Sequence, residues 1–149
     1  LLSAPPIDVK QTNLSQVVTD LIGKIPNRSL IIIFSDMINS MDNNDIFESL
    51  SHLKYKKHEV ILFHVKHSAT EELFNFSNKP HRFIDLENNN VLNLNPQLYK
   101  QQYVKRYQDF QEELKLKCNQ YSIDYVSASI EKGFSQIMTA YLQKRSKLF

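Results

Sequence analysis

Ser29-Leu30-Ile31-Ile32-Ile33-Phe34-Ser35-Asp36-Met37-Ile38-Asn39 is the stretch whose reading decides the fold. Leu30–Phe34 is an unbroken apolar run, rich in β-branched residues and too short for a helix, which predicts a strand buried on both faces in the middle of a parallel sheet. Ser35 and Asp36 follow at its carboxyl end, the edge at which open α/β sheets bind ligands. A carboxylate placed there is either a metal or ligand contact, or a cap for the turn that follows.

On either side of this run, helical and extended patterns alternate. Pro5 and Pro6 make the first eleven residues irregular, and Thr12 or Asn13 offers an N-cap. Leu14, Val17, Val18, Leu21, Ile22 and Ile25 follow at helical spacing, and Pro26 ends that helix. After Asp42-Asn43-Asn44, a second helix over 45–56 carries Ile46, Phe47, Leu50 and Leu53 on one face, and Lys54, Lys56 and Lys57 form a solvated basic end. Residues 59–65 read as a second strand and 71–74 as a short helical turn. Residues 81–86 and 91–94 read as a hairpin of mixed polarity at a sheet edge or on the surface. Pro96 opens a long helix to about Tyr121, with Tyr99, Tyr103, Tyr107, Phe110, Leu114, Cys118 and Tyr121 in one stripe. A third strand over 123–128 and a last helix after Gly133 complete the chain. Lys144, Arg145 and Lys147 decorate the end of that helix. This order predicts an α/β fold: a three-layer, Rossmann-like parallel sheet covered by helices, with a small hairpin insertion, as one domain over 1–149.

The 149 residues are 42% hydrophobic and 23% charged, as in an ordinary globular protein, and the formal charge of +2 argues against a nucleic-acid partner. The single cysteine, Cys118, excludes an internal disulfide and fits a reducing, cytoplasmic setting. No apolar run is long enough to span a membrane. The absence of an initiator Met suggests a piece of a longer natural chain.

With only Gly23 and Gly133 present, there is no glycine-rich phosphate loop, and Gly-x-Ser-x-Gly does not occur. His64 and His67 are three apart at a strand end and could face one zinc, but loop or surface histidines are the plainer reading. Asp85 and Glu87 could form a carboxylate pair, yet Asn88-Asn89-Asn90 beside them points to a solvated turn. The tyrosine stripe could stack bases, and core packing explains it more simply. Cys118 on that stripe reads as an inert core thiol. Thr12 and Asp36 remain. A helix–strand crossover would bring this hydroxyl and this carboxylate to one sheet edge, a pairing that suits a hard cation such as Mg2+ but needs further oxygens.

Arg28-Ser29-Leu30-Ile31-Ile32-Ile33-Phe34-Ser35-Asp36 resembles the signature of the domain of unknown function 58 family. These are bacterial von Willebrand factor A-like proteins, often encoded beside MoxR-type AAA+ ATPases. Thr12-Asn13-Leu14, His58-Glu59-Val60-Ile61, Phe83-Ile84-Asp85-Leu86-Glu87, Ile123-Asp124-Tyr125-Val126 and Tyr141-Leu142-Gln143-Lys144-Arg145 resemble further family segments in the same order. The resemblance implies a von Willebrand factor A fold truncated at its N-terminus. It also implies a metal-ion-dependent adhesion site in which Thr12 and Asp36 are metal ligands, with Ser35 and Asn39 as binding residues. The family's Asp-x-Ser-x-Ser loop is absent from this sequence, and His67-Ser68 stands where many relatives have Asp-Pro. Mg2+ is therefore expected in the intact parent domain and not in this chain alone. The implied role is a non-enzymatic protein–protein interaction module acting with a MoxR-type ATPase in protein assembly or maturation. The alternative is a metal-dependent hydrolase or phosphotransferase using Asp36. The strand normally beside Leu30–Phe34 would be missing, so self-association through that edge is expected.

Overall fold

The computed structural model describes residues 14–38, 45–84 and 90–146. Helix α1 (Leu14–Ile22) leads into strand β1 (Leu30–Ser35), and helix α2 (Asp45–Tyr55) into β2 (Glu59–Lys66). A single π-helical turn, Ser68–Glu72, precedes the hairpin β3 (His81–Ile84) and β4 (Val91–Leu94). Helix α3 (Pro96–Gln120), strand β5 (Asp124–Ser129), a 3-10 turn (Ile130–Lys132) and helix α4 (Gly133–Ser146) follow. The protein is mixed α/β. Its main sheet is parallel with the order β1-β2-β5, and the hairpin forms a separate two-stranded antiparallel sheet.

Alternation along β2 builds two cores. Val60 and Leu62 face Val18 of α1, Ile46, Phe47, Leu50 and Leu53 of α2, and Leu114 and Cys118 of α3. Ile61 and Phe63 face the other way, against Ala128 of β5 and Ile137, Met138 and Tyr141 of α4. Helices thus cover both faces, giving three layers. The stripe expected on α3 is the packed one, except that Tyr99 is exposed. Tyr103 stacks on Phe74 at 4.1 Å between ring centroids, and Phe74 and Phe76 reach Phe83 of the hairpin. These rings seat the hairpin against α3 and account for the tyrosines as packing.

The helix ends show how a chain with two glycines makes its turns. After α2, His58 N–H bonds the Leu53 carbonyl at 3.1 Å and Lys57 N–H bonds that of Lys54 at 2.8 Å, with Lys57 left-handed at φ 64°. After α3, Ile123 N–H bonds Cys118 at 2.8 Å and Ser122 N–H bonds Asn119 at 3.1 Å, with Ser122 at φ 54°. Both are Schellman ends, which ordinarily take glycine. At the start of α3, Asn95 caps Gln97 N–H at 3.2 Å and Pro96 takes the first turn.

Several expectations need correction. β1 is not buried on both faces in the middle of the sheet. That place belongs to β2, whereas Leu30, Ile32 and Phe34 of β1 are 50, 43 and 57% exposed. The physical reason is coverage: α1 and α2 bury Ile33, while α4 lies over β2 and β5 and stops short of β1. Among the described residues β1 pairs with β2 alone. Helix α1 ends at Ile22, earlier than the apolar spacing to Ile25 indicated. Its end is fixed by the Lys56 ammonium, which donates to the Ile22 carbonyl at 2.9 Å, so Lys56 is more than a solvated end charge. Arg145 likewise pairs with Glu59 at 2.7 Å and donates to the Tyr141 hydroxyl, tying α4 to the start of β2.

Candidate functional site

The carboxyl edge of the sheet is built by the last residues of all three parallel strands. At the end of β1, Ser35 and Asp36 both turn back onto the backbone. Ser35 Oγ accepts from Met37 N–H at 3.1 Å, and Asp36 Oδ1 accepts from Ile38 N–H at 3.2 Å. Met37 is left-handed at φ 57° and buried, so the two side chains hold a sharp turn in which a bulky residue dives into the core. Of the two readings open for Asp36, the turn cap is thus present, and its carboxylate remains exposed. Thr12 and Asn39 lie outside the described residues, as do Asp85 and Glu87.

Metal binding is tested by what stands near Asp36. Among the described residues no three His, Cys, Asp or Glu side chains are grouped so as to hold a metal ion. Asp36 supplies one carboxylate and Ser35 a hydroxyl already engaged, far fewer oxygens than Mg2+ takes. The described residues therefore do not make up a cation site by themselves.

Beneath Asp36 lies His64, which periodicity left among surface or loop residues and which is in fact 1% exposed. His64 Nε2 is 3.1 Å from the Asp36 carbonyl oxygen, and Nδ1 is 2.8 Å from the Tyr125 hydroxyl. A carbonyl only accepts, so Nε2 carries the proton and Nδ1 accepts from Tyr125. Burial, with the nearby Lys66 ammonium adding to it, lowers the His64 pKa below its usual value, and burial raises that of Tyr125. The pair is a neutral, fully bonded link from β5 through β2 to the β1 turn. His67 faces elsewhere: its Nδ1 meets Thr70 and lies 3.3 Å from Glu131. The two histidines serve separate networks, which leaves no zinc pair.

At the end of β2 and β5 the edge becomes cationic and polar. Lys66 is 7% exposed and paired with Glu72 of the π turn at 2.8 Å. This pairing holds the Glu72 carboxyl below the usual carboxylate range. Ser68 donates to Ser129 at 3.0 Å, and Ser129 in turn donates to Glu131. That bond and one from Ala69 N–H hold Glu131 down to about 2. Sequence reading missed Lys66, though a signal was present: it shares strand parity with Val60, Leu62 and His64, and so had to point inward. Cys118 is buried with its thiol pushed up to about 11, the inert core thiol expected.

The fold and this edge define the chain as a mixed α/β protein with a three-stranded parallel sheet. Compared with family models, curated proteins and solved structures, the chain matches none. No helix among the described residues is long and apolar enough to cross a membrane.

Proposed function

We propose that the chain is a non-enzymatic protein-binding module of von Willebrand factor A type, which docks a second polypeptide along the outer edge of β1. The observation that carries this reading is the state of that strand. Its outer backbone groups have no strand partner among the described residues, and Leu30, Ile32 and Phe34 form an exposed apolar row on one face. The row continues into a groove of about 200 Å3 between Phe34, Phe63, Phe134 and Met138. An open backbone edge beside a contiguous apolar row is the geometry of strand addition: hydrogen bonds give affinity and alternate side chains give specificity.

The occupant we assign first is a second copy of the chain. Antiparallel pairing of β1 with itself about Ile32 sets Leu30 against Phe34 and Ile31 against Ile33. That register keeps every apolar residue on its own face of a continuous sheet. The ordered resemblance to the domain of unknown function 58 family supports a further partner, a MoxR-type AAA+ ATPase, with a cytoplasmic role in protein assembly or maturation. In that setting Asp36 would be one ligand among several for Mg2+, with Thr12 another.

Purified ATPase, retained or not on the immobilised full chain with and without Mg2+, tests the partner. We expect retention by the wild type and its loss in Ile32→Lys, and, in the intact parent domain where Mg2+ is expected, its loss in Asp36→Ala as well, with no hydrolysis of a generic phosphoester. Retention unchanged in both variants, or metal-dependent phosphoester turnover, would overturn the reading.

A further inference from the structure

We propose that the cavity at the carboxyl edge between β2, β5 and α3 binds the phosphate group of a small, strongly polar ligand. The cavity measures about 330 Å3, and every residue lining it is polar. It lies on the α3 side of the sheet, opposite the exposed row of β1, and does not rest on the docking role.

Charge selects an anion. Lys66, Lys115 and Lys132 line the cavity against one lining carboxylate, Glu72. Lys66 spends one of its three N–H donors on Glu72, and among the described residues neither Lys115 nor Lys132 has an ion-pair partner. Glu131 stands nearby, but its oxygens already accept from Ser129 and from Ala69 N–H.

A second observation points the same way. Gln111 lines the cavity and is 9% exposed, yet its Nε2 finds no hydrogen-bond partner among the described residues. The neighbouring Tyr107 hydroxyl, also buried, draws on one N–H of the same amide without forming a full hydrogen bond, which leaves the amide's second N–H to offer. A buried amide N–H without an acceptor is costly, and an oxyanion in the cavity would supply one to the N–H that Tyr107 does not use. Ser127 adds a hydroxyl to the same wall, one that also bonds the Tyr125 hydroxyl.

The donor set favours phosphate over carboxylate. Planar carboxylates are matched by the guanidinium fork, and no arginine lines the cavity. Three ammonium point charges, an amide and a hydroxyl converging from different elements suit a tetrahedral group. The volume lies at the lower end of ligand pockets, about 300–1,000 Å3, which leaves room for a short polar body beyond the phosphate. The position is the strand edge where α/β sheets commonly bind ligands.

Calorimetric titration of the full chain with inorganic phosphate and with glycerol phosphate tests this, with acetate and sodium chloride at matched ionic strength as controls. Saturable binding of both phosphates and none of acetate is expected. Lys115→Met with Lys132→Met, both exposed side chains, should weaken phosphate binding roughly tenfold or more while leaving the melting temperature without phosphate unchanged. Gln111→Glu should abolish binding, and Glu72→Gln should strengthen it. No saturable phosphate binding, binding unaffected by the double lysine variant, or acetate bound as tightly as phosphate would overturn the proposal.

Discussion

His64 is where single-residue chemistry bears most on the fold. Its imidazole is buried, neutral and bonded at both nitrogens, and its pKa is lowered, chiefly by burial. In the unfolded chain the same group titrates near its ordinary 6.5. Below that pH the unfolded state binds a proton that the folded state resists, so stability is full above about pH 6.5 and falls as pH drops through the window below it. Chemical denaturation at pH 7.5 and pH 5 should show this loss in the wild type and a smaller one in His64→Gln. Tyr125→Phe removes the hydroxyl that donates to Nδ1 and should cost about 1–3 kcal/mol at pH 7.5, measured the same way. Asp36→Ala should cost about 1 kcal/mol through the lost turn bond alone, and a thermal melt without metal measures that part separately. Sequence periodicity located Asp36 at a strand end but was blind to the His64–Tyr125 bond, because it joins residues 61 positions apart. Strand parity does make His64 inward-facing. It cannot supply the identity of the partner.

Among the elements, the helix-to-strand turns carry the most visible strain. Lys57 and Ser122 occupy left-handed positions at which a side chain costs roughly 1–2 kcal/mol and glycine does not. Against glycine's greater unfolded-state freedom, Lys57→Gly should still raise stability by about 0.5–1 kcal/mol, read from urea midpoints at constant m. Gly133 is the reverse case. With φ 71° and ψ 156° between the 3-10 turn and α4, it sits where only glycine is at ease, and Gly133→Ala should cost about 1–3 kcal/mol in the same assay. The extents of α2, α3 and all three parallel strands were legible to within a residue or so, because long periodic runs and Pro96 mark them plainly. The left-handed turns were not, since Lys57 and Ser122 carry no local signal. The face-by-face burial of β1 was not legible either. Five apolar residues in a row say that a strand is apolar on both sides, and only the placement of α4 decides which side is covered.

At the scale of the whole molecule, alternating elements made the α/β class, the parallel sheet and the existence of the hairpin readable in advance, while its standing apart from the main sheet was one of two placements left open. Strand order was less so: the run 30–34 looked like the centre of the sheet, and the centre is β2, whose Ile61, Leu62 and Phe63 have no exposed surface. The difference matters for function. A central strand is a scaffold, whereas an edge strand with Leu30, Ile32 and Phe34 exposed is the surface on which the proposed docking rests. The candidate site divides in the same way. Asp36 and Ser35 follow from their place after an apolar run. Strand parity marks Lys66 as inward-facing, but its convergence with Gln111 and Lys132 comes only through the packing of β2 and α3 and the turn after β5, and no spacing in the sequence announces that.

The most direct test of the docking claim is sedimentation velocity across a hundredfold range of concentration, for the wild type and for Ile32→Lys. The wild type should shift from monomer to dimer as concentration rises. Ile32→Lys, which places a charge on the already exposed row, should stay monomeric with an unchanged melting temperature. A wild type that remains monomeric throughout, or a variant that associates as strongly as the wild type, would contradict the assignment of β1 as the self-docking edge.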